Sequence, residues 1–179
     1  PEEVWDESST KASYQNRQQG QPFFHVQNHT VTHEGNLHFS QETIDKTDDR
    51  DLEHIKVFPY HPDTKTFRFS YHHFQKRHKL ADQQIGDFLE ELSEQGLMEE
   101  TIIFYYGDHG GVLPRSKGYT YESGLKVPLV VYVPKKWQHL FPYDRGSRSE
   151  TFVEFVDLAP TVLALAGIKP PMGMDGTPV

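Results

Sequence analysis

Asp108 and His109 stand side by side in Tyr106-Gly-Asp-His-Gly-Gly111, and a carboxylate next to an imidazole is half of a binding site for a divalent cation. The flanking glycines let the chain turn sharply and let a ligand come close to the backbone. A second reading of the same string stays open: a turn in which Asp108 caps neighbouring amides and His109 faces solvent. The segment follows directly on Thr101-Ile-Ile-Phe-Tyr-Tyr106, a nearly continuous apolar run of the kind that forms a strand buried on both faces of a parallel sheet. Ligands of open α/β sheets bind just beyond the carboxyl ends of strands, which is where this pair is expected to lie.

The elements that must position the pair are legible in outline. From about Phe69 to Gln95 apolar residues recur at three- and four-residue spacing (Phe74, Ala81, Ile85, Phe88, Leu89, Leu92), which predicts a helix, and Gly96 falls where a C-cap glycine belongs. Pro128-Leu-Val-Val-Tyr-Val133 is a second apolar run. Asp157-Leu-Ala-Pro-Thr-Val-Leu-Ala-Leu-Ala166 reads as a helix capped by Asp157 and ended by Gly167. Upstream, Trp5 to Arg17 predicts a short exposed helix, and Pro22-Phe-Phe-His-Val-Gln-Asn28 a strand. Gln41 to Glu53 reads as a polar surface loop or weak helix, and Val57 to Asp63, with two prolines, as irregular. Together these predict an α/β layered sandwich, incomplete in these residues, with a mostly parallel central sheet flanked by helices, whose strand order is not readable.

Composition narrows the function. The 179 residues suffice for one domain with a core, although only 35% are hydrophobic. A net charge of −8 argues against binding a nucleic-acid backbone, and any anionic substrate needs a local cation to overcome that field. No apolar run approaches the roughly 20 residues of a membrane helix, so no membrane partner is expected. The absence of cysteine excludes thiolate metal sites and a cysteine nucleophile within these residues. The oligomeric state is not readable.

Beyond Gly111 the sequence continues Leu113-Pro-Arg-Ser-Lys-Gly-Tyr-Thr-Tyr-Glu-Ser-Gly-Leu-Lys-Val-Pro128. This resembles the bacterial sulfatases of the alkaline phosphatase superfamily, whose pattern runs strand, Asp-(Asn or His)-Gly, loop, Lys-Gly-x-x-Tyr-(Glu or Asp)-x-Gly-(hydrophobic)-(Arg or Lys)-Val-Pro, strand. Pro22 to Glu34, Asp82-Gln-Gln-Ile-Gly-Asp-Phe-Leu and Asp157 to Ile168 are similar to further family segments. The resemblance implies that Asp108 and His109 are metal ligands, for Ca²⁺ in the first place. Ca²⁺ prefers oxygen, so the imidazole keeps Mn²⁺ or Zn²⁺ open as alternatives. It implies that Lys117 binds the sulfate oxygens and that His33 lies near the leaving-group oxygen. Charge develops on that oxygen as the S–O bond breaks, so a cation, an ammonium and a proton-donating imidazolium all suit the reaction. The fork of Arg115 suits a second anion contact, and His29 is a candidate beside His33.

The family's formylglycine nucleophile, made from a Cys/Ser-x-Pro-x-Arg motif, is not in these residues, and Asp48-Asp49 stands in the wrong place to supply the remaining metal ligands. The expectation is that residues 1–179 are part of one sulfatase catalytic domain, inactive alone, with the nucleophile region upstream and a small subdomain downstream. The whole protein is expected to hydrolyse a sulfated carbohydrate or other small sulfate ester, in the periplasm or after secretion. Two alternatives are a phosphodiester or phosphonate monoester hydrolase using Mn²⁺ or Zn²⁺, and a non-catalytic anion- or glycan-binding fragment.

Most of the 11 histidines are expected at the surface. His25, His29 and His33 share a face if Phe23 to His33 is one strand, which permits a metal triad or mere chance placement. His61 either lines a pocket or caps a turn. Glu122 reads as an architectural acceptor near Lys117.

Overall fold

The computed structural model describes residues 4–179. They form two compact units, one ending at Gln84 and the other starting at Ile85.

The first unit begins with irregular chain. The helix expected over Trp5 to Arg17 is confined to a 3-10 turn at Tyr14–Asn16. Tyr14 is buried, with Phe23 stacked on it and Arg17 reaching back to its carbonyl. The Pro22 to Asn28 segment is not part of a ladder, and 3-10 turns at Thr30–Thr32 and Glu34–Asn36 follow it. A strand needs a neighbour for its N–H and C=O groups, and among the described residues none pairs with this one. His25, His29 and His33 therefore do not share the face of one continuous strand.

Helix α1 (Gln41–Asp45) starts at Ser40, whose hydroxyl accepts from the Thr43 N–H. The polar segment around it carries the core of this unit. Ile44 and Leu52 are buried against Phe69, with Phe39 edge-on to Phe69 at 4.7 Å. Two apolar side chains on an otherwise charged stretch were enough to anchor it.

Helix α2 (Lys65–Glu94) begins a turn earlier than the apolar spacing predicts. Arg68 explains the start: its N–H bonds the Thr64 carbonyl at 2.9 Å, and its guanidinium forks onto both oxygens of Asp63 at 2.6 and 2.8 Å. The Val57 to Asp63 corner is irregular, as its prolines require. There the Tyr71 hydroxyl accepts from the Phe58 N–H and lies 2.6 Å from Nδ1 of the buried His61. His61 thus belongs to the packing of the corner, where its own N–H also closes a turn onto Phe58.

The second unit opens on the last part of α2. Gly96, at φ 69°, ends the helix with a Schellman pair: Leu97 N–H to the Leu92 carbonyl and Gly96 N–H to the Ser93 carbonyl. Strands β1 (Ile103–Tyr106) and β2 (Leu129–Tyr132) follow, separated by the short helix α3 (Glu122–Leu125). They pair in the register Ile103↔Tyr132 to Tyr106↔Leu129, and the pairing is antiparallel. Among the described residues this is a two-stranded sheet, so the mostly parallel sandwich predicted from the two apolar runs is not what these strands form. The reason is the connection. Parallel strands need a crossover that returns the chain to the starting end, whereas residues 107–128 fold on themselves at the end of β1 and feed straight back. Nor are the strands buried on both faces, since Tyr105, Tyr106 and Val130 are exposed.

Helix α4 (Leu158–Leu165) ends as predicted at Gly167, with a second Schellman pair from Gly167 and Ile168. Asp157 does not cap α4 through its side chain. Its carboxylate instead accepts the N–H groups of Glu154 and Thr177, both at 2.9 Å.

A candidate metal and anion site in the loop between the strands

Residues 107–128 leave β1 and re-enter β2 through a loop fastened to itself at several points. The Gly110 N–H donates to the Gly124 carbonyl at 2.9 Å, and the Lys117 N–H to the Gly111 carbonyl at 2.8 Å. Two serines exchange bonds across it: Ser116 Oγ donates to the Ser123 carbonyl at 2.5 Å, and Ser123 Oγ to the Arg115 carbonyl at 2.6 Å. Glycine is required where the strands of the loop touch. A Cβ on Gly110 would lie 1.8 Å from the Ser123 oxygen, and one on Gly124 2.2 Å from the Tyr119 oxygen. Both positions are buried, and no ordinary side chain fits there.

This clamp anchors His109, next to Asp108. His109 Nδ1 lies 2.7 Å from the Gly110 carbonyl oxygen. A carbonyl only accepts, so Nδ1 carries the hydrogen and the neutral ring has its lone pair on Nε2. Nε2 in turn lies 3.5 Å from Asp108 Oδ2. Two electron-pair donors therefore face each other at close range. Their separation suits neighbouring ligands of one ion, for which bonds of about 2.0–2.6 Å are usual. The backbone carbonyl behind the imidazole supplies the outer hydrogen bond that orients a metal-binding histidine. Both side chains are exposed, that of Asp108 to 84%. The pair fits a divalent cation as part of a coordination shell. Among the described residues no group of three or more His, Asp or Glu side chains is placed to hold one.

Lys117 is tied to the loop through its backbone, its N–H bonding the Gly111 carbonyl. Arg115 stands two residues before it in the left-handed region, φ 67°, with its guanidinium 4.3 Å from the centre of the Tyr121 ring. Glu122 is exposed at the start of α3 and accepts the Lys126 N–H through its carbonyl.

His33 and His29 lie in the first unit. His33 sits between the two 3-10 turns, and its Nδ1 accepts the Gly35 N–H at 3.2 Å. The neutral ring therefore presents an N–H from Nε2. His29 Nδ1 is 3.1 Å from Gln84 Oε1, so its Nε2 carries the lone pair.

The residues that sequence reasoning passed over are the two serines that close the loop, Ser116 and Ser123, while Gly110 and Gly124 were read without the close approach that requires them. Only the glycines and the Ser123-Gly124 pair left a trace in the sequence. The bonds the serines make across the loop left none.

The sequence profile named Sulfatase matches residues 1–168. The chain is 33% identical, over 98% of its length, to an ulvan-active sulfatase from Formosa agariphila, of which it covers 34%. It is 34% identical over 53% of its length to an arylsulfatase from Clostridium perfringens, of which the match covers 20%. It is also 33% identical over 54% of its length to an N-acetylglucosamine-6-O-sulfatase from Bacteroides thetaiotaomicron, of which the match covers 17%. The chain thus spans about a third of the first of these relatives and its match a fifth or less of the other two. With the profile matching residues 1–168 and the identity running over nearly its whole length, the chain belongs to the sulfatase family.

Proposed function

We propose that the whole protein hydrolyses sulfate esters on a carbohydrate and that residues 107–128 contribute part of its metal and sulfate site. The observation that carries this reading is the lone pair of His109 Nε2 set 3.5 Å from Asp108 Oδ2 by the Gly110 carbonyl. A divalent cation held there, Ca²⁺ first, supplies Lewis-acid stabilisation of charge on the sulfuryl oxygens. Lys117 adds an ammonium to the same oxygens, and Arg115 a further anion contact. His33 serves the leaving oxygen. With Nδ1 accepting from Gly35, the neutral ring offers its Nε2–H as a hydrogen-bond donor to the departing alkoxide, and His29 stands near it in sequence as a second polar contact. The nucleophile belongs to the family's formylglycine motif, which these residues do not include.

The names of the relatives, ulvan-active and N-acetylglucosamine-6-O-sulfatase, support a sulfated glycan as substrate. The reading carries with it a periplasmic or secreted protein that meets such glycans. Among the described residues no helix is long and apolar enough to cross a membrane.

The test is sulfate release by the whole protein. Lys117→Ala is expected to lower turnover by roughly 10²–10³, and unchanged turnover rejects the site. The imidazole donor favours one competing reading, a phosphodiester hydrolase with Mn²⁺ or Zn²⁺. Metal content together with faster cleavage of phosphate than of matched sulfate esters would establish that reading instead.

A further inference from the structure

Tyr119, Tyr121 and Arg115 form a short stack on the outside of the clamped loop. The two rings are 6.2 Å apart and within 22° of parallel, and the Arg115 guanidinium lies over Tyr121 at 4.3 Å. Tyr119, at the end of the stack, is 58% exposed. A single exposed tyrosine is ordinary on a protein surface. Here the backbone holds the stack in place at some cost. Arg115 keeps a left-handed φ of 67° that a non-glycine residue adopts only under constraint. Its carbonyl is tied by Ser123 Oγ, and the Tyr119 N–H is tied to the Ser116 carbonyl at 3.1 Å. The Arg115 guanidinium thus borders the rings, a local cation in a chain whose net charge is −8.

We propose that Tyr119 presents its ring face to a sugar ring of the substrate, with Tyr121 and Arg115 as the brace that fixes its plane. The proposal rests on the sulfated-carbohydrate reading above and adds the residue that holds the sugar. A pyranose has an apolar C–H face and a hydroxyl rim. An aromatic face covers the first, and phenolic and cationic groups at its border suit the second. A stack fixed by the backbone loses little freedom on binding, which favours recognition by a flat, open surface.

The test uses the whole protein and a desulfated ulvan oligosaccharide, whose binding needs no turnover, measured by calorimetry and by saturation-transfer NMR. Tyr119→Ala is expected to weaken binding by about three- to tenfold, the range that one aromatic stacking contact supplies. Tyr119→Phe, which keeps the face and loses the hydroxyl, should bind like the unaltered protein, and Tyr119→Trp at least as tightly. Undiminished binding by Tyr119→Ala overturns the proposal. So does an equal loss in Tyr119→Phe, no binding by the unaltered protein, or a lower melting temperature of Tyr119→Ala with unchanged affinity, which would mean that the protein itself covers the ring. Binding without sulfate release would leave this platform standing and reject the sulfatase reading. Sulfate release from ulvan with full affinity in Tyr119→Ala would do the reverse.

Discussion

The Gly110 N–H donates to the Gly124 carbonyl at 2.9 Å, and neither position has room for a Cβ. Gly110→Ala forces a methyl against the Ser123 carbonyl, the Ser116 hydroxyl and the Gly124 Cα, two of the three being backbone atoms. The loop must open to admit it. The expected cost is about 1–3 kcal/mol or more, read as a fall in the denaturation midpoint, together with loss of bound metal because His109 is anchored to the same glycine.

Ser116→Ala tests the serine exchange separately. Ser116 is 6% exposed, and its hydroxyl is a donor to the Ser123 carbonyl. Removing it strips a partner from a largely enclosed oxygen, which costs about 1–3 kcal/mol. Chemical denaturation should show the loss, with Ser116→Thr recovering part of it if the added methyl is accommodated.

The metal pair predicts different outcomes for its two members. Asp108→Asn removes the charged ligand and is expected to leave the purified protein without stoichiometric metal. His109→Asn replaces nitrogen by oxygen, so it should retain Ca²⁺ while weakening any Zn²⁺ or Mn²⁺. Metal analysis after dialysis, with the melting temperature before and after chelation, separates these cases. Equal metal content in all three proteins would remove both side chains from the site.

Asp157 predicts an acid-labile end to α4. The amide of Glu154 first, and that of Thr177 second, hold its carboxyl below the ordinary carboxylate range. A depressed value in the folded state means stability that is complete above the unfolded value and disappears as pH falls through the folded one. Protection of the Thr177 amide from hydrogen exchange should therefore persist at neutral pH and decline below about pH 4. Asp157→Ala should remove that protection at every pH.

Leu92 is enclosed at the end of α2, within the second unit. It is 1% exposed, and its carbonyl receives the Leu97 N–H of the helix stop. Leu92→Ala is expected to cost about 2–5 kcal/mol. Leu80→Ala, on an exposed part of the same helix, should change stability by less than about 0.5 kcal/mol. Denaturant titration of both variants checks the contrast.

Helices α2 and α4 were readable because their punctuation is local: Gly96 and Gly167 each end a helix by adopting a positive φ, and the apolar spacing before them sets the buried face. The direction of the strands was not. An apolar run such as Ile102 to Tyr106 is the same string in either pairing, and the choice was made by a connection whose shape depends on bonds between residues seven and eight apart. The polar stretch from Gln41 to Glu53 misled in the opposite way, because Ile44 and Leu52 are too few to register as a pattern yet fill the core with Phe69. At the site, Asp108 and His109 were visible as residue types. That the imidazole would turn its lone pair toward the carboxylate depended on the Gly110 carbonyl, which every residue possesses and no sequence displays.

Two backbone bonds and one serine bond divide the connection between the strands into small closed circuits, 111 to 117, 110 to 124 and 116 to 123. Slack in one circuit cannot be passed to the next, so this connection should reject even a one-residue insertion that an ordinary surface loop absorbs. Length changes in the chain are better borne between Phe141 and Phe152, where the backbone is exposed and few bonds cross.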